Sequence, residues 1–154
     1  ILKSNLYRHI EWPIVIMLGA MIPIGQALES TGITALIATE VVSLAGDLHI
    51  FWILMIILII TMLITDVINN AATAVIMAPF SVNIALQLGQ PLEPFLMVVA
   101  VGASCAFLTP IGHQCNTLVM GPGNYKFSDY WRLGLPLDIL IVLASVPMIL
   151  FVWL

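Results

Sequence analysis

The sequence predicts an all-α integral membrane protein with two interrupted helices, and three observations lead to this fold class. First, 62% of the 154 residues are hydrophobic, the mean hydropathy is +1.15 and only 8% are charged, whereas soluble domains carry roughly 25% charged residues. Second, several apolar segments approach the length of about 20 residues that a spanning helix needs. Third, the polar stretches TDVINN and TPIGHQCN lie inside apolar runs. Because lipid leaves a helix as the only open-ended way to satisfy the backbone, we expect helices or half-helices on both sides of each stretch.

The composition also argues against several classes of protein. The formal net charge is −4 and only four residues are Lys or Arg, so the sequence predicts no nucleic-acid partner. Cys105 and Cys115 lie in apolar context and do not indicate a disulfide framework. No set of His, Cys and carboxylate residues has metal-ligand spacing, and no nucleophile–base motif stands out. We therefore expect neither an enzyme nor an organic cofactor.

The elements follow from the hydropathy pattern in chain order. The first apolar segment is marginally long enough to span, and the second carries Glu40 in its middle. The third segment is the most apolar. The fourth begins directly after the pair Asn69-Asn70, with no charged residue between them. The fifth is interrupted at Pro110 and Gly112, and the last carries Asp138 and Pro147. The expected elements are a membrane helix over 12–29, an interfacial helix over 31–46, a helical hairpin over 48–88 with its tip at 66–71, a helix over 94–120 broken at 109–115, and a membrane helix over 133–154.

The positive charges indicate the orientation in the membrane. The pairs Lys3/Arg8 and Lys126/Arg132 share one face of the membrane if the acidic segment 31–46 lies along the interface, and they lie on opposite faces if it spans. The first arrangement fits the positive-inside rule, and the segment resembles a surface-lying helix. We therefore expect residues 1–11 and 121–132 to lie on the cytoplasmic side of the membrane.

The tip of the hairpin is predicted to bind ions. Its connection, DVINN, is very short and has no Lys or Arg, which favours a re-entrant tip inside protein, although two spanning helices give the same parity. We expect Asn70 to be the N-cap of the second helix, whose unpaired N–H groups and partial positive charge suit an anion. The last carbonyls of the first helix, Thr65 to Ile68, lack helical partners and suit a cation.

The broken helix repeats this arrangement. Pro110 and Gly112 interrupt it, and Asn116 is the expected cap of the short helix TLVM, which GPG ends. Two broken helices at membrane depth are the expected architecture of a secondary-transporter site. Neutral amide, hydroxyl and main-chain oxygens suit Na⁺, whereas coupling to protons would need a titrating group, for which Asp66 and His113 are the candidates.

Each feature also has an ordinary structural explanation. Asn pairs often hold neighbouring membrane helices together by hydrogen bonds, and Pro-Ile-Gly often marks a plain kink. The carboxylate of Asp66 has an equally good explanation as a partner of Thr65 or of a nearby backbone amide. For His113 the simpler explanation is a hydrogen-bonded loop residue. Their joint occurrence favours the binding site, because each interruption leaves backbone groups that the other helps to satisfy.

Two motifs resemble one transporter family. TDVINNAATAVIMAP is similar to the second ion-binding hairpin of the divalent anion/sodium symporters, solute carrier family 13 of the ion-transporter superfamily. FLTPIGHQCNTLVMGPGNYKFSDYWRLGLPL is similar to the unwound helix of that family, with its Pro, small residue, polar residue and Asn before a Gly-rich turn. The opening segment IEWPIVIMLGAMIPIGQALESTG also fits, so the resemblance covers nearly the whole chain. The form that these motifs take in this sequence looks most like that of bacterial, algal or archaeal permeases.

The resemblance implies a fold, a location and a set of site residues. The chain corresponds to the second, C-terminal inverted repeat, so the first repeat is an expected partner segment; the lack of an initiator Met also predicts a piece of a longer chain. The implied whole is a homodimer in the lipid bilayer of a prokaryotic inner membrane or a plasma membrane. One Na⁺ is implied at Thr65, the Ile68 carbonyl, Asn70 and the Gly112 carbonyl. The positions implied near the substrate are Asn69, Asn70, Ala71, His113, Gln114 and Asn116.

Two departures from the family pattern bear on the substrate. Ala71 stands where typical dicarboxylate carriers have a Thr, and His113 replaces a residue that usually bears a hydroxyl. Both favour a compact inorganic oxyanion such as sulfate over a dicarboxylate. The function that the sequence predicts is therefore Na⁺-coupled secondary transport of a small divalent anion by alternating access. Two alternatives stay open: a proton-coupled permease or cation/proton antiporter of the same superfamily, and a non-transporting membrane scaffold subunit.

Overall fold

The computed structural model describes residues 30–45 and 48–154, together with Ile16, Gly19, Ala20, Pro23, Gln26 and Ala27. Those six positions are helical, but most of the helix predicted over 12–29 and the predicted cytoplasmic segment 1–11 lie outside the described residues. Within the described residues the secondary structure consists of helices, turns and bends, without strands. The predicted all-α class is therefore confirmed at this level.

Over residues 30–154, as far as the structure describes them, six helices with defined bounds follow one another. α2, α3 and α4 pack against one another, α6 packs against α2 and α4, and α1 packs against α3. The six helices are α1 (Ile33–Ala45), α2 (Ile50–Thr65), α3 (Asn70–Gln87), α4 (Leu92–Ala103), α5 (Gln114–Met120) and α6 (Phe127–Trp153).

The core lies between α2, α3 and α4, and it sets the level at which two helices end. Leu58 of α2, Ile84 of α3 and Phe95 of α4 are fully buried. The backbones of α2 and α4 approach closely at Gly102, because a Cβ placed there would lie 2.8 Å from the Thr61 Cβ. Overpacking at such a contact is destabilising. The close contact comes just before both helices end, so it brings their carboxyl ends together.

Hydrogen bonds between side chains and backbone fix α3 and α1 to this core. The Ser81 hydroxyl of α3 donates to the Phe95 carbonyl of α4 at 2.9 Å, inside the core. Two side chains of α3 donate to hydroxyls of α1, Asn83 to Thr34 at 3.4 Å and Gln87 to Thr39 at 3.2 Å. These bonds show that α1 is packed along α3; its predicted position at the membrane interface stays a prediction.

Helix α6 begins earlier than the hydropathy pattern predicted. It starts at Phe127 and not near residue 133, because Asp129 accepts the Lys126 N–H at 2.8 Å and so caps a polar first turn. Hydropathy alone does not register such a turn. Over the described part of the chain, α6 is the one helix that is long and apolar enough to cross a membrane.

The hairpin turns more tightly than predicted. α2 ends at Thr65 and α3 begins at Asn70, so only residues 66–69 are non-helical. The prediction of Asn70 as the N-cap is wrong by one position. Asn69 has extended backbone dihedrals (φ −64°, ψ 156°), and its Oδ1 accepts the Ala72 N–H at 2.8 Å. Asn70 therefore lies in the first turn of α3, and its side chain is available for a different contact.

The second interruption starts earlier than predicted. α4 ends at Ala103, since the Ser104 N–H donates to Val101 in a tight turn well before Pro110 is reached. The non-helical connection therefore covers residues 104–113 and not 109–115. α5 is capped by His113, whose Nδ1 accepts the Cys115 N–H at 3.2 Å. The prediction of Asn116 as the cap is thus wrong, because Asn116 lies inside α5.

Candidate ion and anion site

The end of α2, the start of α3 and the end of α4 meet at one buried hydroxyl. Thr65 is fully buried, and its Oγ1 lies 2.9 Å from Asn70 Oδ1 and 3.0 Å from the Ala103 carbonyl oxygen. The contact with Asn70 closes the hairpin, and the contact with Ala103 joins the hairpin to the second interruption. Two of the predicted Na⁺ ligands, Thr65 and Asn70, therefore lie in direct contact.

These three oxygens have one proton between them. A threonine hydroxyl donates a single hydrogen, while a carbonyl and an amide oxygen only accept. The Thr65 hydroxyl can thus satisfy Ala103 or Asn70 but not both at once. Buried acceptors in close contact need either a further donor or a cation. We call this group of atoms, Thr65 Oγ1, Asn70 Oδ1 and Ala103 O, the oxygen cluster.

Gly112 brings the 104–113 connection against the same place. A Cβ at Gly112 would lie 2.6 Å from the Thr65 carbonyl oxygen and 2.9 Å from the Asp66 Cα. Both neighbours are backbone atoms, so they do not yield as a flexible side chain would. Glycine is needed here for space, since the described glycines with positive φ are Gly32 and Gly89. The predicted ligand position Gly112 thus lies against the backbone of Thr65, the residue whose hydroxyl belongs to the oxygen cluster.

Asp66 is a buried anchor for the connection. Its side chain is 3% exposed, and its Oδ1 accepts the Leu108 N–H at 2.9 Å. Its backbone carbonyl accepts the Thr109 hydroxyl at 2.5 Å. The other carboxylate oxygen, Oδ2, is buried without a hydrogen-bond partner among the described residues. The structural role that the sequence offered for Asp66 is therefore present; its predicted role in proton coupling stays a prediction.

The Thr109 hydroxyl uses its whole hydrogen-bonding capacity between the 66–69 turn and the 104–113 connection. Besides donating to Asp66, its Oγ1 accepts the N–H groups of Ile111 and Gly112, each at 3.2 Å. One donated and two accepted bonds are all that a hydroxyl can make. This single side chain therefore ties the turn at 66–69 to Gly112.

The Thr109 hydroxyl gives a testable prediction. We expect Thr109→Val, which keeps the shape but removes the hydroxyl, to destabilise the full-length protein by about 1–3 kcal/mol, since it leaves buried polar groups without a partner. Thr109→Ser keeps the hydroxyl and serves as the matched control. Thermal unfolding in detergent measures the stability of both variants. A Val variant as stable as the Ser variant would contradict the role of the Thr109 hydroxyl in tying residues 66–69 to Gly112.

The first turn of α3 offers hydrogen-bond donors beside the tip. The N–H groups of Asn70 and Ala71 make no hydrogen bond within the described residues, as expected for the first turn of a helix. Asn69, the cap, is exposed, and Ala71 is half-buried. His113 directly follows Gly112, so it also lies close to this end, and it is exposed. Because its Nδ1 accepts a hydrogen bond, the proton of a neutral ring lies on Nε2 and is available to a ligand.

The remaining predicted site residues lie around this centre in different ways. Ile68 belongs to the 66–69 turn, with its N–H donating to Ile64 and a partly exposed side chain. Gln114 is exposed at the start of α5. Asn116 donates both amide hydrogens to the connection, to Ala106 at 2.8 Å and to Thr109 at 3.1 Å. Its amide nitrogen therefore holds the protein's own loop, which leaves only its oxygen for a substrate.

Sequence reasoning missed two members of this site. Ala103 contributes only a backbone carbonyl, which no side-chain pattern reveals. Thr109 stands directly before Pro110 in an apolar run, and a lone hydroxyl beside a helix break was the available signal. Elsewhere, no group of three or more His, Cys, Asp or Glu residues that could hold a metal ion is found in the described ranges.

Helix ends that meet at such an oxygen cluster are typical of membrane transport proteins with interrupted helices. Comparison with known proteins gives the family. The model of the citrate transporter family, CitMHS, matches residues 2–102, and the chain belongs to this family. It is accordingly a membrane protein of a transporter family, as the sequence predicted.

Relatives support the same assignment. The chain is 41% identical over 146 residues to YfbS, an uncharacterized transporter of Escherichia coli, covering 95% of this chain and 24% of that protein. It is 36% identical over 150 residues to an uncharacterized transporter of Synechocystis, covering 97% and 24%. It is 28% identical over 139 residues to sodium/sulfate cotransporter 2 of Chlamydomonas reinhardtii, covering 90% and 16%. The chain thus spans about a quarter or less of these relatives, and the predicted resemblance to sodium-coupled anion transporters is confirmed.

Proposed function

We propose that the full-length protein containing this chain is a Na⁺-coupled symporter of a small divalent anion, and that the chain forms the C-terminal half of its inverted-repeat transport domain. The oxygen cluster carries this proposal. Three acceptor oxygens that share one proton are short of positive charge, and uncharged oxygen ligands suit a hard monovalent cation. A Na⁺ held by Thr65, Asn70 and Ala103, with the Gly112 carbonyl beside them, would satisfy all of these atoms together.

The anion would bind next to the cation, where the donors are. The N–H groups at the first turn of α3 and the exposed His113 lie beside the tip, while Ala71 adds no hydroxyl. A helix N-terminus favours negative charge. A cation at the oxygen cluster would add to the attraction, so binding of the two ions would be mutually favourable.

Sulfate is the preferred substrate class for this site. The relatives in Chlamydomonas include sodium/sulfate cotransporters, and sulfate needs several N–H donors within a small volume. The absence of a hydroxyl at Ala71 removes one directional donor for a carboxylate. The name of the family model, citrate transporter, makes di- and tricarboxylates the natural competitors in any test.

Coupled transport would then proceed by alternating access. Na⁺ would draw the ends of α2, α3 and α4 together and so order the donors for the anion. Only the domain loaded with both ions would move between the two faces of the membrane. It would move together with a first repeat, for which the longer relatives have enough additional sequence. A homodimer and the re-entrant path of the hairpin belong to the same proposal.

Uptake by the purified full-length protein in proteoliposomes tests this function. We expect labelled sulfate to enter against its gradient when an inward Na⁺ gradient is imposed, and not when K⁺ replaces Na⁺. Succinate and citrate, as unlabelled competitors, should inhibit less than sulfate.

Two other outcomes would each favour one of the alternatives. Uptake that follows an imposed pH gradient in the absence of Na⁺ would overturn Na⁺ coupling and favour the proton-coupled permease. No uptake, together with no thermal shift in Na⁺ plus any of the three anions, would favour a scaffold subunit.

A further inference from the structure

A hydrogen bond connects α6 to the short helix of the site. The Tyr130 hydroxyl, in the first turn of α6, donates to the Asn116 carbonyl in α5 at 2.7 Å. Tyr130 lies in the second motif that resembles the transporter family, but the sequence analysis assigned it no role at the site. The same helix touches the 104–113 connection at a second place, because a Cβ at Gly134 would collide with the Phe107 carbonyl.

Asn116 passes this contact on to the connection. Its side-chain amide donates one hydrogen to the Ala106 carbonyl and the other to the Thr109 carbonyl. Both acceptors lie in the 104–113 connection, on either side of its bend at Leu108. A fixed Asn116 therefore sets where Thr109 stands, and Thr109 in turn fixes Gly112 and the Asp66 carbonyl.

The series of bonds ends at the oxygen cluster. Asp66 is the residue after Thr65, and Gly112 lies against the Thr65 carbonyl. From Tyr130 to Thr65 the path contains three side chains, those of Tyr130, Asn116 and Thr109, each bonded to the backbone of the next segment. The last step, from Gly112 to the Thr65 carbonyl, is a close packing contact.

Hydrogen bonds are especially important here because α5 lacks a packing anchor. None of the seven residues of α5 is buried. A helix that makes few buried apolar contacts is free to shift at little cost. Its position rests on polar contacts, namely the Tyr130–Asn116 bond, the two Asn116 amide bonds and a bond from the Thr117 hydroxyl to the Pro110 carbonyl at 2.6 Å.

We propose that Tyr130 is a positioning residue for the cation site: its hydroxyl holds α5, and through Asn116 and Thr109 it sets the distance between Gly112 and Thr65. The proposal rests on the proposed Na⁺-coupled function and adds a residue outside the site to it. Removal of the hydroxyl leaves the core of α2, α3 and α4 untouched. The effect should therefore appear in the affinity for Na⁺ and not in folding.

The test is a Na⁺ titration of sulfate uptake by the full-length protein carrying Tyr130→Phe. We expect the half-saturating Na⁺ concentration to rise about 5-fold, the factor that corresponds to one lost hydrogen bond. The maximal rate at saturating Na⁺ and the melting temperature should stay at the wild-type values. Tyr125→Phe is the matched control, since the Tyr125 ring lies edge-on to Tyr130 with centroids 6.3 Å apart, and no hydrogen bond to its hydroxyl is found within the described residues.

Three results would overturn the proposal. Equal half-saturating Na⁺ concentrations for Tyr130→Phe, Tyr125→Phe and wild type would show that the bond does not reach the site. A lower maximal rate or melting temperature with an unchanged half-saturating concentration would show a merely structural bond. Wild-type uptake that is independent of Na⁺ would instead overturn the proposed function and, with it, this proposal.

Discussion

Replacement of Asn70 by Ala is expected to abolish Na⁺-dependent uptake by the full-length protein. The substitution removes Oδ1 from the oxygen cluster, where it lies 2.9 Å from Thr65 Oγ1. The loss of a ligand to a charged group costs about 1.5–3 kcal/mol, or about 10- to 100-fold in affinity. The half-saturating Na⁺ concentration would then exceed the range in which uptake is measured, so initial rates with and without Na⁺ should coincide.

Two further variants isolate the role of the oxygen. Asn70→Asp keeps an oxygen at this position and should retain Na⁺ dependence. Loss of Na⁺-dependent uptake in Asn70→Asp would contradict the assignment of this oxygen as a cation ligand. Asn83→Ala, on the same helix but bonded to Pro79 and Thr34, is the control for loss of an α3 amide and should keep wild-type Na⁺ dependence. Unchanged Na⁺ dependence in Asn70→Ala would rule out the assigned cation site.

Replacement of Gly112 by Ala is expected to have the second large effect. The new Cβ would lie 2.6 Å from the Thr65 carbonyl oxygen, so the connection must move away from the end of α2. Overpacking of this kind costs about 1–3 kcal/mol. Because the strain falls on the contact between the two interrupted helices, we expect a loss of Na⁺ affinity of about 5- to 100-fold, measured as a rise in half-saturating Na⁺ concentration.

Gly121→Ala is the matched control for this substitution. Gly121 closes α5, and a Cβ at this position has open space around it. The control should bind Na⁺ as wild type does. A Gly112→Ala protein with wild-type Na⁺ affinity and stability would show that the close approach of Gly112 to Thr65 is not needed for the site.

The fold was predictable where long apolar runs were interrupted by charged or amide side chains. The break after Thr65 and the polar turn before α3 followed from TDVINN, because a carboxylate and two amides do not continue an apolar helix cheaply. The exact ends did not follow. Asn69 and Asn70 are adjacent and equally good caps by type, and only the backbone angles of Asn69 decide that it is the cap.

Neither the hydropathy pattern nor the structure establishes how the helices lie in the membrane. The early start of α6 at Phe127 depends on a capping contact between Asp129 and Lys126, which hydropathy does not register. The predictions for 31–46 and for the cytoplasmic side of 121–132 concern a bilayer and remain predictions. Measurements of the accessibility of single cysteines in the full-length protein, from each side of the membrane, would decide them.

The amino-acid sequence by itself predicted a helical membrane protein, because composition and two polar interruptions in apolar runs are local properties of the chain. It also predicted which two short segments form the candidate site. Only the tertiary structure decided which atoms meet there. The Ala103 carbonyl, the Thr109 hydroxyl and the contact of Gly112 with Thr65 come together because α2 and α4 pack closely and end at the same level, and that packing depends on residues far apart in the chain.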